Sequence, residues 1–313
     1  MAAVRRWTAA DIPAQHGRTA VITGASAGLG FATALLLARS GAVVVLAGRD
    51  STRAERAAAR IRAAVVDAEV ATQRVELGSL ASIRDAAGEL RVRYPRIDLL
   101  INNAGLISRR RRLTEDGFES HFGVHHLGHF AFTGLLLESV LATPGSRVVT
   151  VSSLSHWIGR IHFDDLQLTR RWGTALAYSQ SKLANLLFSY ELQRRLELAG
   201  ATTIAVTAHP GVVPTDLLRD VSWRLPRVVF SRPPGRLSAW FRHDPQQAAL
   251  TTLRAAVDPA IRGGAFCGPA GRLQCTGTPV LVRSSARAHH HPTRRRLWRE
   301  SERLTGVTYR LPE

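Results

Sequence analysis

Lysine is almost missing from this chain of 313 residues: of 42 basic side chains 41 are arginine, and the single lysine is Lys182. A guanidinium is a rigid planar fork and an ammonium a compact point charge with rotatable donors, so the two do not interchange at every site. A lysine that stands alone in an arginine-biased chain either marks a place where only the point charge serves or is a chance survivor on the surface. Cysteine is scarce as well. Cys267 and Cys275 give no framework of the kind that holds small secreted domains, and the expectation is a reduced, cytoplasmic protein. No stretch reaches the roughly 20 apolar residues of a membrane span, and the first residues lack the apolar centre of a signal peptide. Membrane contact is expected to be peripheral at most. Acidic residues are few, 24 against 42 basic, for a formal charge of +18. That balance suggests a nucleic acid, yet no finger, recognition-helix or RNP-like pattern organises the scattered arginines. The run Arg109-Arg110-Arg111-Arg112 either touches a polyanion or faces water, and no nucleic-acid partner is expected.

At 45% hydrophobic the chain can bury a sizeable core. A short strand over 18–22 leads directly into Thr23-Gly24-Ala25-Ser26-Ala27-Gly28-Leu29-Gly30 and the apolar helical run 31–38. Residues 42–47 read as a fully buried strand. Further strands are expected at 74–77, 98–101, 147–152 and 203–208, with helices around 51–68, 80–91, 114–142 and 178–199. This alternation argues for a parallel sheet covered by helices on both faces. A late helix at 245–258, an edge strand at 278–282 and a closing helix at 291–303 complete the pattern. No linker divides the chain, so one domain is expected over 1–313. His289-His290-His291 falls in a polar connection and reads as a solvated turn rather than a metal site.

Glycines between a strand and a helix let the backbone turn tightly and approach a pyrophosphate at the helix N-terminus. Gly24, Gly28 and Gly30 are spaced G-x-x-x-G-x-G, which by itself fits either a cofactor cradle or a plain turn. Arg49 stands at the tip of the second strand, where an arginine pairs with the 2′-phosphate of NADP and an acid would accept the ribose hydroxyls of NAD. Arg49 favours NADP, while Asp50 one step later keeps NAD possible. At the chemical end, Val151-Ser152-Ser153 closes the fifth strand, and Tyr178 and Lys182 are i and i+4 on one helix face. A free phenol has a pKa near 10 and is a poor base; a nearby ammonium favours its ionised form. With a serine to hold the same substrate oxygen, these groups suit hydride transfer between a nicotinamide and a carbonyl or alcohol carbon. The Gly-x-Ser-x-Gly of an α/β-hydrolase is absent.

These residues carry a resemblance. Thr23 to Gly30, Asn102-Asn103-Ala104-Gly105, Val151-Ser152-Ser153, Tyr178-Ser-Gln-Ser-Lys182 and His209-Pro210-Gly211-Val212-Val213 resemble, in this order, the short-chain dehydrogenase/reductase superfamily. Phe163-Asp-Asp-Leu166 and Leu297-Trp-Arg-Glu-Ser301 point within it to the retinol-dehydrogenase-like and protochlorophyllide-reductase-like branch. The resemblance spans about residues 7–305. It implies an α/β, doubly wound Rossmann-type domain with a seven-stranded parallel sheet. It also implies Tyr178 as the acid/base, Ser153 as its partner on the substrate oxygen, and Lys182 as the group that lowers the tyrosine pKa and holds the nicotinamide ribose. On the cofactor it places Gly24, Ser26, Ala27, Gly28, Leu29 and Gly30, with Arg49 by the adenosine phosphate and Glu76 and Leu77 beside adenine. Asn103, Ala104 and Gly105 would line it, and Pro210, Gly211, Val212 and Thr215 would lie near the nicotinamide. Asn102 would stabilise the central strand.

The chain departs from that family at His125, where a catalytic asparagine is usual. The asparagine's main-chain carbonyl is thought to orient a water that connects the lysine to solvent. Histidine keeps the carbonyl, but its ring is wider and is expected to charge near pH 6.5, disturbing Lys182 and Tyr178. Either activity persists, or the protein is a weak or inactive cofactor-binding scaffold. His121, His125 and His129 share a helical face, although one helix cannot readily wrap three rings around one ion. The resemblance puts the substrate lid at residues 216–243, which read as a hydrophobic substrate pocket or a membrane-leaning surface and equally as ordinary helix packing with solvated arginines. Trp223, Leu225, Val228, Val229, Phe230, Leu237, Trp240 and Phe241 make it apolar amid six arginines. A small hydrophobic alcohol, aldehyde or ketone is the expected partner; monomer and homo-oligomer are both open.

Overall fold

Strand and helix alternate from Thr19 onward, and the computed structural model describes residues 6–212 and 244–313. In order come β1 (Thr19–Thr23), α1 (Gly28–Arg39), β2 (Val43–Gly48), α2 (Ser51–Ala64), β3 (Val70–Arg74), α3 (Leu80–Arg93) and β4 (Leu99–Asn102). The chain then forms a short turn α4 (Ser120–Phe122), a π-helical turn (Gly123–Leu127), α5 (Gly128–Leu141), β5 (Arg147–Val151), α6 (Thr174–Leu198) and β6 (Ile204–Ala208). After the undescribed stretch follow α7 (Pro245–Val257), β7 (Phe266–Pro269), β8 (Pro279–Leu281) and α8 (His291–Thr305). The described strands form one sheet in the order β3-β2-β1-β4-β5-β6-β7-β8. All neighbours run parallel except β7 and β8.

Alternation along each strand explains why both faces are covered. Ala20 and Ile22 of β1 and Leu99 and Ile101 of β4 pack with α1 and α7, whereas Val21 and Leu100 point into the opposite cluster with α3, α5 and α6. Successive strand side chains face opposite ways, so a strand apolar at every position must be buried on both sides.

Several expectations need correction. The sheet has eight strands, not seven: β7 is hard to read because Phe-Cys-Gly-Pro looks like a breaker. Pro269 ends the strand and pairs with Pro279, a position where a missing N–H is tolerated. The third strand lies at Val70–Arg74 rather than 74–77, because its ladder to β2 runs from Val44↔Val70 to Gly48↔Arg74. The helix expected over 114–142 begins only at Ser120. Before it, Gly117 takes a φ of +81° and Thr114 N–H donates to Phe118 O, closing a turn. The helix expected to run to 68 stops at Ala64, where Val65 turns extended. The three histidines at 289–291 are not merely a solvated turn: His290 caps α8 by accepting the Thr293 N–H, and His289 stacks on Tyr190. Val213, Thr215 and the segment 216–243 lie outside the described residues.

Candidate active site

The carboxyl ends of β1, β2 and β4 meet around the glycine turn. Gly24 (φ +68°) and Gly28 (φ +55°) adopt the left-handed backbone that glycine accepts freely. A Cβ on Gly30 would stand 2.5 Å from Gly24 O and 2.6 Å from Asn103 Nδ2, so helix and strand close here only without a side chain. Ala27, at the N-cap of α1, has no side-chain acceptor to offer the first turn, leaving a helix N-terminus suited to an anion. Ala27, Gly28, Arg49 and Gly105 are exposed, and Ser26, Leu29, Asn103 and Ala104 half-buried, around an otherwise buried sheet. A Cβ on Gly48 would meet nothing within 4 Å. This open, glycine-walled cradle fits a dinucleotide.

Arg49 and Asp50 diverge in role. The Asp50 carboxylate caps α2 by accepting the Arg53 N–H at 2.9 Å. Glu76 folds back onto its own turn, accepting the Gly78 N–H at 2.9 Å, and Leu77 packs against Gly128. Asn102 donates to Thr133 Oγ1 at 2.9 Å, tying β4 to α5. Across the site, Gly211 (φ +77°) leaves no room for a Cβ against Cys275 O. Val212 N–H donates to that carbonyl at 2.9 Å, and His209 Nε2 donates to Gln274 Oε1 at 3.0 Å. The loop after β7 thus fixes the segment from Pro210 to Val212.

Beyond β5 the two serines separate. Ser152 is structural: its hydroxyl donates to Lys182 O at 2.8 Å. Ser153 faces Tyr178, and its hydroxyl favours the ionised phenol. His156 holds the Ser153 backbone, donating from Nδ1 to Ser153 O at 2.7 Å while Nε2 accepts the Ser285 N–H at 3.2 Å. Lys182 is buried, donates from Nζ to Val151 O at 3.2 Å, and lies 5.6 Å from the centre of the Tyr178 ring. Burial pushes the Lys182 ammonium down to about 8. Burial also pushes the Tyr178 phenol up, with the Ser153 hydroxyl pulling the other way. The expectation that lysine lowers the tyrosine meets an opposing influence: desolvation raises the phenol more than the Ser153 hydroxyl lowers it.

His125 corrects a second expectation. Its ring sits well below its ordinary value because it is buried, then because the positive charge of Lys182 lies beside it. It is neutral at pH 6.5. Nε2 accepts the Leu106 N–H at 2.8 Å and Nδ1 donates to Ser181 Oγ at 2.8 Å. Ser181 passes its own hydrogen to Tyr178 O at 2.7 Å. The rings of His125 and Tyr178 meet edge to face at 5.7 Å. Among the described residues no cluster of His, Cys, Asp or Glu could hold a metal ion. Sequence reasoning missed Thr23, Glu119, His156 and Ser181 as members of this site. Ser181 stood inside the Tyr-Lys motif and Thr23 at the head of the glycine motif, neither with a role assigned; Glu119 and His156 act through contacts that leave no pattern in the chain.

A doubly wound parallel sheet with a glycine turn after β1 and a Ser-Tyr-Lys group at the end of β5 defines a dinucleotide-dependent oxidoreductase. The short chain dehydrogenase family model matches residues 18–224, and the chain belongs to that family. Among curated relatives, retinol dehydrogenase 14 of Mus musculus is 39% identical over 305 residues, covering 93% of this chain and 87% of the relative. Polyprenol dehydrogenase of Mus musculus is likewise 39% identical, over 303 residues, covering 95% and 86%. The crystal structure of an uncharacterised protein from Mycobacterium paratuberculosis is 41% identical with a TM-score of 0.80, covering 97% of this chain and 99% of that one. The retinol-dehydrogenase-like branch follows from these relatives.

Proposed function

We propose that this chain is an NADP-preferring oxidoreductase that interconverts a hydrophobic alcohol and its aldehyde or ketone. The observation that carries the reading is the meeting of Ser153, Tyr178 and Lys182 beside the glycine-walled cradle. Bound NADP would supply the hydride chemistry. Gly24 to Gly30 would receive its pyrophosphate, and Asn103 to Gly105 and Pro210 to Val212 would flank it. Arg49 is exposed at the tip of β2, while Asp50 next to it is engaged as a helix cap; both favour a 2′-phosphate over free ribose hydroxyls.

Ser153 holds the substrate oxygen by a hydrogen bond. Tyr178 gives that oxygen a proton in reduction and takes one in oxidation. Because burial raises the phenol, Tyr178 is protonated near neutral pH, the state that reduction requires. Lys182, whose Nζ lies 5.6 Å from the centre of the tyrosine ring, stabilises the phenolate left behind through its positive charge. His125 is a positioning residue, and its neutral ring removes the reason to expect an inactive scaffold.

The relatives' names, retinol and polyprenol dehydrogenase, support a long hydrophobic alcohol as substrate. Trp157 and Ile158, exposed just beyond Ser153, offer apolar surface at the same rim, and the apolar segment 216–243 is proposed as its lid. Hydrophobic aldehydes, ketones and alcohols followed at 340 nm with NADPH or NADP test the reading. Turnover of at least one is expected; tight NADPH binding without turnover of any would overturn it. Arg49→Ala is expected to weaken NADPH about tenfold or more, the loss of a charge-assisted phosphate contact, while sparing NADH. Equal losses would remove the 2′-phosphate assignment.

A further inference from the structure

The stripe His121, His125 and His129 is fully buried, and a metal does not explain it. His121 and His125 instead turn one bare nitrogen to the loop that follows β4, and His129 turns one to Thr23 beside it. A neutral imidazole has one donor and one acceptor nitrogen, so its partners fix where the proton sits. At His125, the Leu106 N–H occupies Nε2 and the proton is on Nδ1, toward Ser181. At His121, the Ser108 N–H occupies Nε2 at 3.1 Å, and Nδ1 donates to Glu119 Oε1 at 2.8 Å. At His129, Nδ1 donates to His125 O at 3.0 Å, so Nε2 accepts from Thr23 Oγ1 at 2.8 Å. That threonine oxygen in turn accepts the N–H groups of Asn103 and Ala104, both at 2.9 Å.

Four amides of one loop, at 103, 104, 106 and 108, thus hang directly or through Thr23 on three histidines of one helix. The cofactor side of the loop is held by His129 and the middle by His125. The far end is held by His121 at Ser108, whose own carbonyl accepts from Thr174 Oγ1 at 3.0 Å, one helical turn before Tyr178. The His121 and Tyr178 rings lie edge to face at 6.3 Å.

We propose that the three histidines form a rack of acceptors that sets the 103–108 loop across the site, and that His121, oriented by Glu119, is the positioning residue for the substrate end of it. Glu119 is well placed to orient the ring. Its second oxygen accepts the Phe122 N–H at 2.9 Å, and Trp172 Nε1 donates to the first at 3.2 Å. The carboxylate is immobilised and can only accept, which keeps the His121 proton on Nδ1. His121 touches no part of the glycine turn, so its removal should shift substrate and spare cofactor. The inference rests on the carbonyl–alcohol activity proposed above.

The test compares His121→Gln, whose amide oxygen can replace the Nε2 acceptor, with His121→Phe, which has none. The Phe variant is expected to raise KM for the best hydrophobic carbonyl substrate about tenfold, the size of one unpaired buried amide. NADPH affinity, read by titration, is expected to stay within about twofold. The Gln variant is expected to recover KM to within about threefold of the parent. Equal damage in both variants, or an unchanged KM in the Phe variant, would overturn the assignment. Should the Phe variant fail to fold, the ring ¹⁵N shifts of the parent chain decide. All three histidines are expected with Nδ1 protonated and Nε2 bare, and a protonated Nε2 at His121 overturns the rack. A parent chain with this tautomer pattern and no turnover would instead discard the proposed activity and leave the rack standing.

Discussion

At the scale of the residue, Lys182 and Tyr178 set an ammonium beside a phenol in low dielectric, and the proposed activity has the pair share the handling of one proton. Arginine cannot take the lysine's place: its fork is bulkier, its charge more diffuse, and Nζ meets Val151 O inside a site only 5% exposed. Lys182→Arg is therefore expected to lower kcat by about a hundredfold or more, measured at 340 nm with NADPH in excess. His125→Asn tests the positioning role beside it. The shorter amide cannot reach Leu106 N–H and Ser181 Oγ together, so a fall in kcat of about threefold to tenfold is expected. A large gain in turnover would show the ring to be a handicap. The motif residues were legible because chemistry fixed their type and spacing. Their protonation states were not, because these depend on burial that only the packed α6 and α4 to α5 segments create.

At the scale of the element, the site is made by places where regular structure stops. The π-helical turn at Gly123–Leu127 carries His125 and ends where the Gly128 N–H donates to Gly123 O. Its neighbours Gly123 and Gly128 let Thr114 and Leu77 approach closely. Nothing in the apolar spacing of 114–142 announces that turn, since a π-turn shifts the helical register by one residue without changing composition. Strand β3 departs from its expected place for a related reason: Val-Ala-Thr-Gln-Arg has little apolar signal, and its pairing with β2 rather than its own pattern defines it. The glycine turn, in contrast, was readable, because only glycine tolerates what happens there. Gly30→Ala is expected to lower stability by about 1–3 kcal/mol through overpacking against Gly24 O and Asn103 Nδ2. Thermal melting should register a drop of several degrees, together with weaker NADPH binding by titration.

At the scale of the whole molecule, buried neutral histidines couple folding to acidity. Burial holds His126 down to about 3 and His129 and His209 down to about 4, against an ordinary value of 6.5. The unfolded chain therefore binds more protons than the folded one between those values and 6.5. Stability is fully present above 6.5 and is lost as pH falls, at about 1.4 kcal/mol per pH unit for each such histidine. A formal charge of +18 adds self-repulsion in the same direction. Urea midpoints are expected to fall steadily from pH 7 to pH 5 and to change little from pH 7 to pH 7.5; a flat profile down to pH 5 would refute the coupling. The overall architecture followed from alternation alone, two helical layers about a parallel sheet. The eighth strand did not, because an edge hairpin closed by Pro269 and Pro279 owes its place to the neighbour it pairs with.

The solitary lysine has a consequence for labelling chemistry. Lys182 is the only side chain in 313 residues that carries a primary amine, and burial already brings its pKa to about 8. An acylating or aldehyde reagent that reaches a side-chain amine in the folded protein reaches this one site. The extent of its modification, and any protection a bound nicotinamide cofactor gives against it, would read occupancy of the site in a peptide map that separates this amine from the chain's α-amine, with no engineered handle needed.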